Sequence, residues 1–196
     1  MMKFLRLRKQ VEKKVEEPVI MEFEGIPFVV IRRRVRYSRV EFKNNGLRVI
    51  VPRGIDPLKV LEENRTSILK KYRKLISQVE TAREKSLVHW TAREFETLIS
   101  SYIEQYSRQL QVKVKEIRFR KMRRRWGSCR SDRIITFNRY MQFIPEPLIA
   151  YIVFHELAHL IVRGHGQRFK RIIAQQFPLY RQMDKELNLY GLKLLT

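Results

Sequence analysis

The chain has 196 residues, a single cysteine at Cys129, and 42 Lys and Arg against 20 acidic residues, which leaves a formal net charge of +22. That length can bury a core without covalent staples, one cysteine excludes a disulfide framework and a cysteine-rich structural zinc site, and no apolar run approaches the roughly 20 residues needed to cross a bilayer. The charge raises a polyanion partner, DNA or RNA, beside the plainer reading of a solvated surface.

Residues 1–18 form a charged lead of poor periodicity ending at Pro18 and read as a flexible basic tail. Phe4, Leu5 and Leu7 among Lys3, Arg6, Arg8 and Lys9 do not make the apolar stretch of a signal peptide, so together with the free cysteine the expectation is a cytoplasmic protein. From 19 to 52 the texture changes to short runs rich in Val, Ile, Phe and Tyr, interrupted by Gly25-Ile26-Pro27 and Asn44-Asn45-Gly46. Asn and Gly tolerate positive φ, so the second interruption is a hairpin turn, and the segment predicts an antiparallel β-meander of three or four strands packed on the core.

The remainder, 53–196, reads as the main core of the chain. Asp56-Pro57 opens a helix, with Asp as N-cap and Pro at the first helical position. Leu58, Leu61, Ile68, Leu69, Tyr72, Ile76 and Val79 carry it at three-and-four spacing to about residue 82. Thr91-Ala92-Arg93-Glu94 is a capping box, and Phe95, Leu98, Ile99, Tyr102, Ile103, Tyr106 and Leu110 form the buried stripe of the helix that follows. Residues 112–120 alternate imperfectly, with a bulge near Lys115 and Glu116, and predict a strand; 133–138 predict another, with the turn-forming Arg123-Arg124-Arg125-Trp126-Gly127-Ser128-Cys129 between them. A helix then starts at Pro145-Glu146-Pro147 and runs to about Arg163, where Gly164 takes the C′ position. Its residues 148–154 are apolar on every side, which places it inside the domain. Helices over about 166–177 and 179–190 follow, separated at Pro178.

Within the apolar helix lies His155-Glu156-Leu157-Ala158-His159. Four residues make little more than one turn, so both imidazoles leave the same face and can bind one metal ion, while Glu156 points aside, where a general base can reach a metal-bound water. With 4 His and 17 Glu in the chain, this pattern arises by chance about 0.7% of the time, so it is not an accident of composition. His165, after the Gly164 turn, supplies a third imidazole. Three protein ligands leave the open position that separates a catalytic zinc site from a closed structural one. The opposing reading, two core histidines with a paired Glu, buries two imidazoles and a carboxylate without sufficient partners, which is costly.

Arg125-Trp126-Gly127-Ser128-Cys129, Phe137-Asn138, Pro145, His155-Glu156-Leu157-Ala158-His159-Leu160, and His165 with Phe169 together resemble the YgjP-like metallopeptidases, relatives of the SprT-like and Wss1-like zincins. The likeness is sharp over about 115–180 and includes the five-residue gap between His159 and His165. One departure is Lys170, where the family often has Trp after the Phe; it reads as a change in packing near the site. The resemblance implies an α+β, zincin-like core in which the metal helix packs under a small sheet. An edge strand there, 114–120 or 133–138, would accept an extended peptide by backbone pairing.

The expected function is a zinc-dependent peptidase that cleaves a peptide or protein substrate, with metal ligands His155, His159 and His165 and Glu156 as the base. Arg125, Tyr140 and Tyr180 are open alternatives for stabilising the oxyanion. Arg125 and Trp126 read either as cleft residues or, for Trp126, as a core anchor. The rivals are a nucleic-acid-associated protein using the basic residues of 115–133 and Arg32, Arg33, Arg34, Arg36 and Arg39, or a zinc-stabilised binding module without turnover. The oligomeric state is not legible.

Overall fold

The computed structural model describes residues 21–43 and 46–194, which fall into two compact units dividing after Tyr72. The basic tail expected over 1–18 and the turn residues Asn44 and Asn45 lie outside the described residues.

In the first unit, the apolar runs form β1 (Met21–Phe23), β2 (Ile26–Arg32), β3 (Arg39–Lys43) and β4 (Gly46–Val51). Their spatial order is β1-β2-β4-β3, and β2 pairs with β4 in parallel, so the sheet is mixed and the expected antiparallel meander is corrected. The reason lies in composition. β4 is the strand with Val49, Ile50 and Val51 all buried, and it takes a central place, while β3, with Arg39 and Glu41, takes the edge where charged side chains remain solvated. β3 and β4 are antiparallel, with Lys43 opposite Gly46. Asp56 caps α1 (Pro57–Glu63), its carboxylate accepting from the Leu58 N–H at 2.9 Å. The single helix expected to about residue 82 is broken at Asn64, whose side-chain amide donates to the Val60 carbonyl at 2.8 Å, the local competition that makes Asn a poor helix-interior residue. α2 (Arg65–Glu84) continues beyond the break. Phe28, Leu47, Val49 and Val51 of the sheet pack with Leu61 and Ile68 of the helices in one core.

The second unit begins within α2, at Arg73, and contains α3 (Ala92–Leu110), where the capping box forms in both directions: the Thr91 hydroxyl accepts from the Glu94 N–H at 3.2 Å, and the Glu94 carboxylate accepts from the Thr91 N–H at 2.8 Å. A three-stranded sheet follows, β5 (Glu116–Arg120), β6 (Gly127–Cys129) and β7 (Ile134–Asn138), in the order β5-β7-β6. β7 is parallel to β5, antiparallel to β6 and buried along its length, so of the two segments expected as an edge 133–138 is overturned, while 114–120 supplies β5 at an edge. The Arg-Trp-Gly-Ser-Cys stretch, expected as a turn, supplies the edge strand β6. α4 (Glu146–Ala158), α5 (Gln167–Gln176) and α6 (Tyr180–Leu194) complete the unit.

Every residue from Leu148 to Phe154 in α4 is buried, as an all-round apolar helix requires. α4 ends at Ala158, five residues before the expected stop. The chain turns there through tight bonds from the Leu160 N–H to the Leu157 carbonyl and from the Ile161 and Val162 N–H groups to the Ala158 carbonyl. The fold is α+β. No helix among the described residues is long and apolar enough to cross a membrane.

Candidate functional site

His155 sits in the last turn of α4 and His159 is its C-cap, which brings their ring centroids to 5.0 Å. The turn that follows returns His165 to within 5.2 Å of His155 and 4.7 Å of His159, centroid to centroid. One ring nitrogen from each of the three lies within 4.8 Å of the others, and Nε2 of His155 is 3.1 Å from Nε2 of His165.

Phe169 of α5, 3% exposed, forms the floor under all three rings: it stacks on His159 at 4.5 Å and meets His155 and His165 edge-on at 4.9 Å. Nδ1 of His159 is 3.1 Å from the Val162 carbonyl. A carbonyl only accepts, so Nδ1 carries the proton and Nε2 keeps its lone pair. Burial, and then the neighbouring His159 and His165, push the His155 imidazole down to about 3, and burial lowers His159 too, against the Val162 carbonyl that favours its charged form. Both rings are held neutral at physiological pH, the form that ligates metal.

Glu156 leaves α4 in another direction and is 7% exposed. Burial pushes its carboxyl up to about 7, with the Arg125 charge opposing. Its carboxylate lies against the backbone of Gly127 at the start of β6: a Cβ built at Gly127 would fall 2.5 Å from Oε1 and 2.6 Å from Cγ of Glu156.

His155, His159, His165 and Glu156 share a cleft of about 760 Å³ with β6, Arg125, Arg163 and Asp184. Of Arg125, Tyr140 and Tyr180, only Arg125 lines it. Asp184 is engaged by the Tyr151 hydroxyl, which donates to it at 2.7 Å; burial first, then that carboxylate, raises the phenol. Trp126 serves both of its readings, since it lines the cleft and also packs against the core, its indole N–H donating to the Leu187 carbonyl at 3.3 Å.

The profile of the YgjP-like metallopeptidase domain matches residues 41–190. The chain belongs to this family. A YgjP-like metallopeptidase domain implies a metal ion, and the donor set fits one. Three imidazoles converge within 4.8 Å, and the 3.1 Å between Nε2 of His155 and Nε2 of His165 is close to the roughly 3.3 Å that tetrahedral zinc with Zn–N bonds of about 2.0–2.1 Å sets between ligands. Two solved structures of archaeal metallopeptidase zymogens are similar. Abylysin of Pyrococcus abyssi is 23% identical over 46% of this chain and 90% of its own, with a TM-score of 0.41. Jannalysin of Methanocaldococcus jannaschii is 22% identical over 46% and 92%, also at 0.41. No curated protein matches the chain.

Two residues of this YgjP-like domain gain a place that the sequence alone did not give them. Gly127 is where β6 meets Glu156. Asn138, fully buried at the end of β7, ties down the preceding loop: its Oδ1 accepts from the Met122 N–H at 3.1 Å, and its Nδ2 donates to the Met122 and Arg125 carbonyls at 2.8 Å each. Its own N–H donates to the Trp126 carbonyl at 2.8 Å. The signal available in the sequence is a polar residue ending a strand that is otherwise apolar apart from Thr136.

Proposed function

We propose that the chain is a zinc-dependent peptidase in which His155, His159 and His165 hold the metal and Glu156 is the general base. The observation that carries this reading is the convergence of three imidazole nitrogens within 4.8 Å in the same cleft as a buried, desolvated carboxylate. When bound, zinc supplies a Lewis acid for the substrate carbonyl and brings the pKa of a coordinated water towards neutrality.

The chain's own residues supply the rest. Phe169 and the Val162 carbonyl fix the imidazole planes and the His159 tautomer. The Glu156 carboxylate accepts a proton from the attacking water and delivers it to the departing amine nitrogen; a carboxyl near 7 suits both directions of that transfer at neutral pH. The free edge of β6 offers backbone groups to an extended substrate, beside Glu156.

The test is Glu156→Gln. It should lose cleavage of an unstructured protein such as casein, by at least about 10²-fold, while keeping one zinc per chain by metal analysis, whereas His159→Ala should lose both. A Glu156→Gln protein that cleaves like the parent would remove the mechanism. A zinc-loaded parent that cleaves no peptide would leave a zinc-stabilised binding module.

A further inference from the structure

The charged groups facing the cleft are not all spoken for. Asp184 holds the Tyr151 hydroxyl, and Arg130 pairs with Asp132 at 2.9 Å. Arg125 and Arg163 also line the cleft, are exposed, and have no ion pair or side-chain hydrogen bond among the described residues. Arg125 is not loose: its carbonyl is tied to the buried Asn138, so its main chain is fixed while its guanidinium stays free. Arg125 precedes β6 by two residues in the chain. Arg125 acts on the carboxylate of Glu156, which packs on Gly127, and Arg163 acts on the thiol of Cys129.

The neighbourhood strengthens the same sign. Between residues 115 and 133, Glu116 and Asp132 are taken by Arg118 and Arg130, which leaves Lys115, Arg120, Lys121, Arg123, Arg124 and Arg133 without an ion pair among the described residues. A cleft in which Arg125, Arg130 and Arg163 stand against the carboxylates of Asp184 and Glu156, beside a cationic loop, attracts anionic ligands and repels cationic ones. A guanidinium fork is also the donor geometry that matches a carboxylate.

Resting on the peptidase reading above, we infer that this cleft selects acidic peptides, with Arg125 and Arg163 forming subsites for Asp or Glu side chains of a substrate lying along β6.

The test separates recognition from turnover. Binding is read by fluorescence anisotropy on the zinc-loaded full chain carrying Glu156→Gln, at one fixed salt concentration. The probes are a labelled peptide with Glu on both sides of an apolar centre and its Gln and Lys counterparts. The Glu peptide should bind about tenfold tighter than the Gln peptide and the Lys peptide weakest, as two partly exposed charge pairs predict. Arg125→Gln and Arg163→Gln should each cost the Glu peptide about threefold and leave the Gln peptide unchanged. Arg93→Gln, an equal change in charge at an exposed site outside the cleft, should change nothing. Equal affinity for Glu and Gln peptides overturns the inference, and so does an Arg93→Gln effect as large as those in the cleft, since bulk charge would then be responsible. Cleavage by the protein with Glu156 intact is scored separately on the same peptides. Cleavage without an acidic preference removes the inference and keeps the peptidase; an arginine-dependent preference in binding without any cleavage keeps acidic recognition and removes the peptidase.

Discussion

Gly127 and Glu156 are in contact across the β6–α4 boundary so closely that no side chain fits between them. A Cβ at position 127 would lie 2.5 Å from Oε1, 2.6 Å from Cγ and 2.7 Å from Cδ of Glu156. The strand edge and the carboxylate are therefore set by one another.

Gly127→Ala tests that dependence. A clash with a terminal oxygen alone could be relieved by a rotamer, but Cγ is struck as well, and Glu156 is only 7% exposed, so its surroundings resist the move. The expected result is a stability loss of about 1–3 kcal/mol and a fall in peptide cleavage of at least about tenfold, with bound zinc unchanged. Parent-level cleavage by this variant would show that the carboxylate's position is not set by Gly127.

Asn138 makes a prediction about folding. Replacing it with Leu strands the Met122 N–H, the Met122 carbonyl and the Arg125 carbonyl in a part-buried place, and each stranded group costs on the order of 1 kcal/mol or more. Urea unfolding should show a loss of about 3 kcal/mol or more. Asn138→Asp should also destabilise, because its acceptor contacts survive while both donated bonds become oxygen facing oxygen. A loss under about 1 kcal/mol in both variants would mean that the loop is held by other contacts.

How much of this was legible depends on whether a residue's neighbours lie along the chain or across it. The α4 interior could be read because a helix apolar on all sides has only one place to go, and the α3 start because a capping box closes within four residues. β6 could not, since Gly-Ser-Cys shows neither alternation nor β-branching and becomes a strand through its pairing with β7. The parallel β2–β4 pair was hidden likewise: a hairpin signal says that β3 and β4 are neighbours, not which side of β4 faces β2. The early end of α4 was masked by Leu160, Ile161 and Val162, which prolong the apolar pattern although the backbone has already turned at His159. The spacing of His155 and His159 implied a shared face, but the ring of Phe169 beneath them follows from how α5 docks.

Cys129 carries a pH prediction. Burial first, then the nearby Glu156 charge, with Arg163 opposing, pushes its thiol up to about 11. A raised acid stays protonated below its pKa, so at pH 8 the thiolate fraction should be about a hundredfold below that of a free thiol near 9, and alkylation slower in proportion. Iodoacetamide labelling of the folded protein should accelerate with pH until about 11, and denaturant at pH 8 should restore the ordinary rate. Rapid labelling of the folded chain at pH 7 would show an activated thiol instead.

Phe169 connects packing to the metal. Three imidazoles rest on its ring, and at 3% exposure its removal opens a cavity under all of them. Phe169→Ala should cost about 3–5 kcal/mol, enough that poor folding could mimic poor metal binding. Phe169→Leu separates the two effects, because it keeps most of the volume while losing the flat face that orients His159. In competition with a chelator, Phe169→Leu should hold zinc about 10- to 100-fold more weakly than the parent, with a melting temperature in metal-free buffer reduced by only a few degrees. Zinc affinity equal to the parent's would mean that α4 and the His165 turn fix the imidazoles without help from α5. The chelator should also lower the parent's melting temperature, since a ligand bound only by the folded state stabilises it in proportion to its occupancy.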